Sequence, residues 1–177
     1  MKKVKVATVW LGGCSGCHMS FLDLDERLIE LSELIELKAS PLTDLKDFPE
    51  VDVTLVEGAV CNTDHLHHLQ TVRKRSKLLI AFGDCAVTGN VSAMRNTLQA
   101  DEMVRVIYGR ADVVPSQPPD GDIVPKLTER VLPIHHVVKV DGYLPGCPPS
   151  PDLIYLAVKE LVAGRIPKLE KGQLKYG

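Results

Sequence analysis

The chain has 177 residues, 45% of them hydrophobic and 25% charged, with a formal net charge of -2. That length allows one domain with a self-sufficient core, and the balanced charge gives no basis for nucleic acid or an anionic membrane as partner. No apolar run approaches the roughly 18 residues that span a bilayer. Five cysteines, an odd number, argue against a disulfide framework, and the expected location is the cytoplasm.

Met1-Lys2-Lys3 followed by an apolar stretch faintly resembles a lipoprotein leader, but Lys5 interrupts it. Val4–Trp10 reads instead as a first buried strand. After Cys17, Phe21, Leu24, Leu28, Leu31 and Ile35 recur at three- and four-residue steps and predict a helix. A short strand is expected over Glu36–Ala39, and a buried one over Val51–Glu57. Asn62 or Thr63 caps a helix carrying Leu66, Leu69 and Val72, and Leu78–Phe82 is the next strand. The basic run Arg73-Lys74-Arg75, with Lys77, suits the end of that helix, where cations meet the helix dipole.

Met94, Leu98, Met103, Val104 and Ile107 suggest helix within residues 86–135, and Pro115–Asp122 reads as loop. Val137–Val140 restores a strand. Ser150 and Pro151 start a last helix, which Gly164 ends. Strands alternating with helices imply an α/β fold with a doubly wound parallel sheet and helices on both faces, one domain over 1–177.

Four cysteines follow strands of this pattern. Cys14 and Cys17 come after the first, Cys85 after Leu78–Phe82, and Cys147 after Val137–Val140. In an open parallel sheet the loops leaving the strands share one edge, where ligands bind, so these thiols can converge. Three chemistries fit. Four thiolates hold an iron–sulfur cluster, with glycines letting N–H groups approach the sulfides. Four thiolates hold structural zinc, although zinc ribbons usually offer two paired knuckles. Cys14 and Cys17 form a dithiol at a helix start, which leaves Cys85 and Cys147 without a role.

The motifs Leu11-Gly12-Gly13-Cys14-Ser15-Gly16-Cys17-His18-Met19-Ser20-Phe21, Val56-Glu57-Gly58-Ala59, Gly83-Asp84-Cys85-Ala86-Val87-Thr88-Gly89 and Gly146-Cys147-Pro148-Pro149 resemble the small subunit of nickel–iron hydrogenases. The segment Cys14–Asp23 looks most like the cytoplasmic, bidirectional NAD(P)-reducing group. The resemblance implies a flavodoxin-like domain with one 4Fe-4S cluster at the C-terminal edge of the strands, ligated by Cys14, Cys17, Cys85 and Cys147. It also implies a nickel–iron large subunit and diaphorase subunits carrying FMN, an NAD site and further iron–sulfur clusters. Membrane-bound and periplasmic relatives carry a twin-arginine signal and a C-terminal domain with further clusters. Only 30 residues follow Cys147 here, none of them cysteine, so one cluster and no such domain are expected. The related cluster subunit of respiratory complex I uses adjacent cysteines where this chain has Cys14-x-x-Cys17.

Around these ligands, Glu57 ends a buried strand, where a carboxylate must be bonded, protonated or metal-bound. It is expected to be either a redox-linked group or a satisfied loop cap. Cys61 is an unligated thiol or a substitute ligand, and His18 a hydrogen-bond donor to the cluster or a surface residue. Gly13, Gly16, Gly146 and Pro148 shape the ligand loops. His65, His67 and His68 read as solvated, and His135 and His136 carry no pattern. No Gly-x-Gly-x-x-Gly or Walker loop is present, so an NAD site is expected on another subunit.

Overall fold

Valine- and leucine-rich runs too apolar to face water on either side set the architecture. The computed structural model describes residues 3–43, 45, 47–109 and 123–173. In chain order the elements are β1 (Val4–Trp10), α1 (Gly16–Leu22), α2 (Arg27–Leu34), β2 (Ile35–Ala39), β3 (Val51–Glu57), β4 (Val60–Asn62), α3 (Thr63–Arg75), β5 (Ser76–Phe82), α4 (Asp84–Thr88), α5 (Ala100–Tyr108), β6 (Leu127–Leu132), β7 (Gly142–Leu144) and α6 (Pro151–Val162). Two 3-10 segments, Asn90–Thr97 and Ile134–His136, lie among them. The expected loop Pro115–Asp122 lies outside the described residues. Among the described residues no helix is long and apolar enough to cross a membrane.

Five strands form one parallel sheet in the order β2-β1-β3-β5-β7. The period of two along each strand divides its side chains between two cores. On β5, Leu78, Ile80 and Phe82 face a core completed by Leu31 of α2 and by Ile154, Ala157 and Leu161 of α6. Leu79 and Ala81 face the other, with Leu69 and Val72 of α3 and Ala86 of α4. The doubly wound α/β reading therefore holds, with helices on both faces. The caps hold as well: Asn62 accepts the His65 N–H at 2.8 Å, and Ser150 accepts that of Leu153 at 3.4 Å.

Three expectations need correction. The helix after Cys17 is two helices, because the chain turns at 23–26 with Asp25 at φ 50, and Ile35 already belongs to β2. Aspartate tolerates this left-handed conformation better than most residues. Leu24 fills the joint, and Leu24 and Leu31 pack into the same core, with Phe21 and Leu28 against it, so the apolar stripe runs unbroken through the bend. Val137–Val140 is not a strand; the fifth strand starts at Gly142. Asp141 takes the Leu79 N–H on its carboxylate at 2.9 Å, which occupies the donor that a longer ladder would need. Val137, Val138 and Val140 pack against the second core instead. Of the helix expected within residues 86–135, Met103, Val104 and Ile107 lie in α5, whereas Met94 belongs to the 3-10 segment and Leu98 follows it. The described residues there also form β6, which pairs antiparallel with β4 in a small second sheet.

Asp141 also accepts from Arg73 Nη1 at 2.6 Å, and its side chain is only 13% exposed. Burial acts to raise its pKa, but the Leu79 and Arg73 hydrogen bonds and the guanidinium charge outweigh it and hold the carboxyl below its usual 3.8. A group depressed in this way stabilises the fold above its unfolded pKa and loses that contribution as pH falls through the folded value. Asp141→Ala should lower unfolding free energy by about 1.5–3 kcal/mol at neutral pH. The gap from wild type, measured by urea denaturation, should shrink as pH falls below 3.8.

Candidate metal centre

Parallel pairing brings the C-terminal ends of β1, β3, β5 and β7 to one edge, and the cysteine loops leave from there. Leu11 donates to Glu57 O at 2.8 Å, and Gly12 and Ala59 exchange backbone hydrogen bonds at 2.9 and 2.8 Å, zipping the loops after β1 and β3 together. Ser15 then turns through φ 64 and α1 begins at Gly16. Gly16 N–H lies 3.4 Å from Cys14 Sγ, an amide aimed at sulfur.

Cys17 is buried beneath the edge, whereas Cys14 and Cys147 are exposed and Cys85 is half-buried. A Cβ on Gly83 would lie 2.1 Å from Cys17 Sγ, so that sulfur rests directly on the backbone entering the Cys85 loop. Gly83 has φ +82 and precedes α4, whose first turn carries Cys85. Burial, then Glu57, then the thiols of Cys85, Cys14 and Cys147 push the Cys17 pKa up. The Cys85 pKa is also raised, chiefly by burial, against hydrogen bonds from Ser92 and with smaller effects of Cys14 and Cys147. Cys17 and Cys85 thus lie within electrostatic reach of each other and of Cys14 and Cys147. Thiolates gathered at one edge beside a buried carboxylate would repel unless cations neutralised them, and soft sulfur donors favour iron–sulfur clusters or zinc. The donor set fits the expected group. Among the described residues, no three His, Cys, Asp or Glu side chains gather closely enough for a single ion.

Glu57 is 2% exposed and ends β3 below α1. Its Oε1 accepts Cys17 N–H at 3.3 Å and its Oε2 accepts His18 N–H at 3.0 Å. His18 Nδ1 also contacts Oε2. The carboxylate is satisfied, and it clamps the start of α1. His18 is buried, not a surface residue, with its ring between Trp10 and Phe82 and its Nε2 without a partner among the described residues.

Cys61 Sγ sits against Gly12 and points to Ala59 O at 3.5 Å. Its pKa is raised by burial, with Arg95 opposing and Cys85 adding a little. Gly13 packs on Gly58, 4.0 Å from Glu57 Oε1 when given a Cβ, and Gly146 takes φ +138 before Cys147. The Cys147–Pro148 bond is cis. His67, His68, His135 and His136 are exposed, while His65 accepts the Cys61 N–H at 3.3 Å.

Two further buried residues shape this edge. In the sequence Asp84, with Thr88, flanks Cys85 and can orient its loop without any independent signal, whereas Ser20 is only a letter of the first motif. Asp84 Oδ1 accepts Gly146 N–H at 2.7 Å, and Ser20 Oγ donates to Pro149 O at 2.6 Å. The one available signal is spacing, since Ser20 lies one helical turn after Cys17.

Residues 14–161 match the family described as NADH ubiquinone oxidoreductase, 20 Kd subunit, and the chain belongs to that family of α/β proteins. Within it, the chain is a member of the nickel–iron hydrogenase small subunits and resembles those of the NAD-reducing group. It is 42% identical over 172 residues to the NAD-reducing hydrogenase HoxS subunit delta of Cupriavidus necator, covering 92% of this chain and 80% of that protein. It is 39% identical to a subunit of the vhu F420-non-reducing hydrogenase of Methanococcus voltae, covering 96% of this chain but only 60% of that protein. The fold aligns with a chain of an NAD+-reducing [NiFe]-hydrogenase in the H2-reduced state at TM-score 0.94 and 39% identity, covering 99% of this chain and 100% of that one.

Gly83→Ala should force its new methyl against Cys17 Sγ and strain a backbone at φ +82. The expected cost is about 1–3 kcal/mol, read as a lower urea midpoint with unchanged slope.

Proposed function

We propose that this chain is the electron-transfer small subunit of a cytoplasmic nickel–iron hydrogenase, with Cys14, Cys17, Cys85 and Cys147 holding one 4Fe-4S cluster. When bound, such a cluster supplies a one-electron redox centre whose potential responds to hydrogen bonds and exposure at its sulfurs. The observation that carries the reading is the arrival of these four cysteines, in loops after β1, β5 and β7, at one edge of a parallel sheet in a chain whose relatives are hydrogenase subunits.

The chain's own residues bind, orient and shield. Cys17, Phe82 and Leu144 close the inner side with apolar surface. Gly16 directs an amide at Cys14 Sγ, and Glu57 anchors the α1 start that presents Cys17. Gly13, Gly146 and Pro148 set the loop paths, while Cys61 and His18 remain unligated neighbours. The exposed side, at Cys14 and Cys147, faces outward toward a partner.

The partners of this reading are a nickel–iron large subunit, where hydrogen is split, and a diaphorase module with FMN, an NAD site and further iron–sulfur clusters. The complex then couples H2 oxidation to NAD+ reduction reversibly, and this chain alone has no activity. The NAD-reducing names of the Cupriavidus relative and of the structural match support that acceptor.

Metal and acid-labile sulfide analysis of the anaerobically purified complex tests the reading. About four irons and four sulfides should belong to this chain, with nickel in a larger copurifying subunit. Zinc without sulfide would instead identify an interaction domain. Cys85→Ser should lose or convert the cluster, whereas a Cys14/Cys17 dithiol enzyme would tolerate that change.

A further inference from the structure

The segment between β7 and α6 has no regular structure, yet buried side chains from two other cysteine-bearing segments grip it on both sides of Cys147. On one side stands Asp84, 3% exposed, directly before Cys85. Its Oδ1 accepts the Gly146 N–H at 2.7 Å and its own N–H donates to Gly146 O at 2.9 Å, so both polar atoms of that residue's backbone are engaged. On the other side stands Ser20, also 3% exposed, on the helix that begins beside Cys17. Its hydroxyl donates to Pro149 O at 2.6 Å. The loop is tight between these points: a Cβ on Gly146 would lie 2.5 Å from Pro149.

Neither contact is needed to build the sheet, whose β5–β7 ladder already ends at Phe82 and Leu144. Asp84 is 3% exposed, and a polar side chain buried to this degree is held by the hydrogen bonds it makes. One of them is from the Gly146 amide. We propose that Asp84 and Ser20 are positioning residues that clamp the Cys147 loop at two points, fixing that thiol relative to Cys85 and Cys17. This assignment rests on Cys147 being a cluster ligand and names the residues that keep it one. Asp84 couples the Cys147 loop to the Cys85 loop, and Ser20 couples it to the Cys17 helix. With both in place, the ligand contributed from the far end of the chain cannot swing outward, although its side chain is exposed.

The test uses the assembled, anaerobically purified complex carrying Asp84→Ala, Ser20→Ala, both together, or Asp84→Asn in this chain. Each sample is oxidised with limiting ferricyanide. Iron release is followed in time, and electron paramagnetic resonance reports conversion of a four-iron to a three-iron cluster. Each alanine variant should lose iron severalfold faster than wild type, and the double variant at least about tenfold faster, as expected when both hydrogen bonds to one loop are removed. Asp84→Asn keeps an oxygen acceptor for the Gly146 amide and should stay within about twofold of wild type. A folded double variant that releases iron at the wild-type rate with an unchanged spectrum overturns the clamp. Should Asp84→Ala give no assembled complex, Ser20→Ala decides alone, and wild-type iron retention there is equally fatal. Wild-type complex with no iron or sulfide in this chain would instead remove the cluster reading beneath the proposal.

Discussion

A carboxylate with 2% of its surface exposed cannot stand without partners, and Glu57 finds them in the backbone of another segment. It ends β3, the central strand of the sheet, and receives the Cys17 and His18 amides at the start of α1. Those amides are among the donors that any helix start leaves unpaired, so one contact solves two problems of burial. It also decides where Cys17 lies, because the helix cannot slide along the edge without abandoning the carboxylate. The zip between Gly12 and Ala59 fixes the same pair of loops from the other side of Gly13. The Cys85 and Cys147 loops are then placed relative to this fixed start, through Gly83 under Cys17 Sγ and through the ties of Ser20 and Asp84.

The small antiparallel sheet of β4 and β6 is an addition to the doubly wound plan, and it reaches the same edge. The 3-10 segment Asn90–Thr97 lies against β6, where Asn96 pairs its side-chain amide with both backbone groups of Val131, donating at 2.9 Å and accepting at 2.6 Å. From there Arg95 reaches Cys61 O at 3.2 Å and Ser92 reaches Gly12 O at 3.0 Å. The segment therefore roofs the glycine-rich loop and Cys61 with directed hydrogen bonds, not with apolar packing. Val91 and Met94 of the same segment remain exposed.

Much of this is legible in the sequence where the signal is strong and local. Buried strands announce themselves as apolar runs rich in valine, leucine or isoleucine, and β1, β3 and β5 fall where those runs do. Asn62 and Ser150 can be read as caps because their function needs only the next three residues. The four cysteines, each following an expected strand, define the edge as soon as a parallel sheet is assumed. Other features fail for physical reasons. The bend at Asp25 is invisible because both helices feed one core, which preserves the apolar period through the turn. Val137–Val140 has the composition of a strand, but Asp141 claims the β5 amide that would have extended the ladder. The β4–β6 pairing and the contacts of Asp84 and Ser20 depend on residues far apart in sequence, and no local pattern encodes such partners.

The hydroxyl of Ser20 and the carbonyl of Pro149 are separated by 129 residues. Closing so long a loop costs entropy that grows only slowly with length, but the contact cannot form until the strands between have registered. Parallel sheets of high contact order assemble late and cooperatively. The thiol edge is therefore a property of the finished sheet: a nascent polypeptide still lacking β7 presents three of the four cysteines and none of the ties that hold the last. Synthesis through the Cys147 loop must therefore precede the Ser20–Pro149 tie, which joins the first helix to the last loop of the edge.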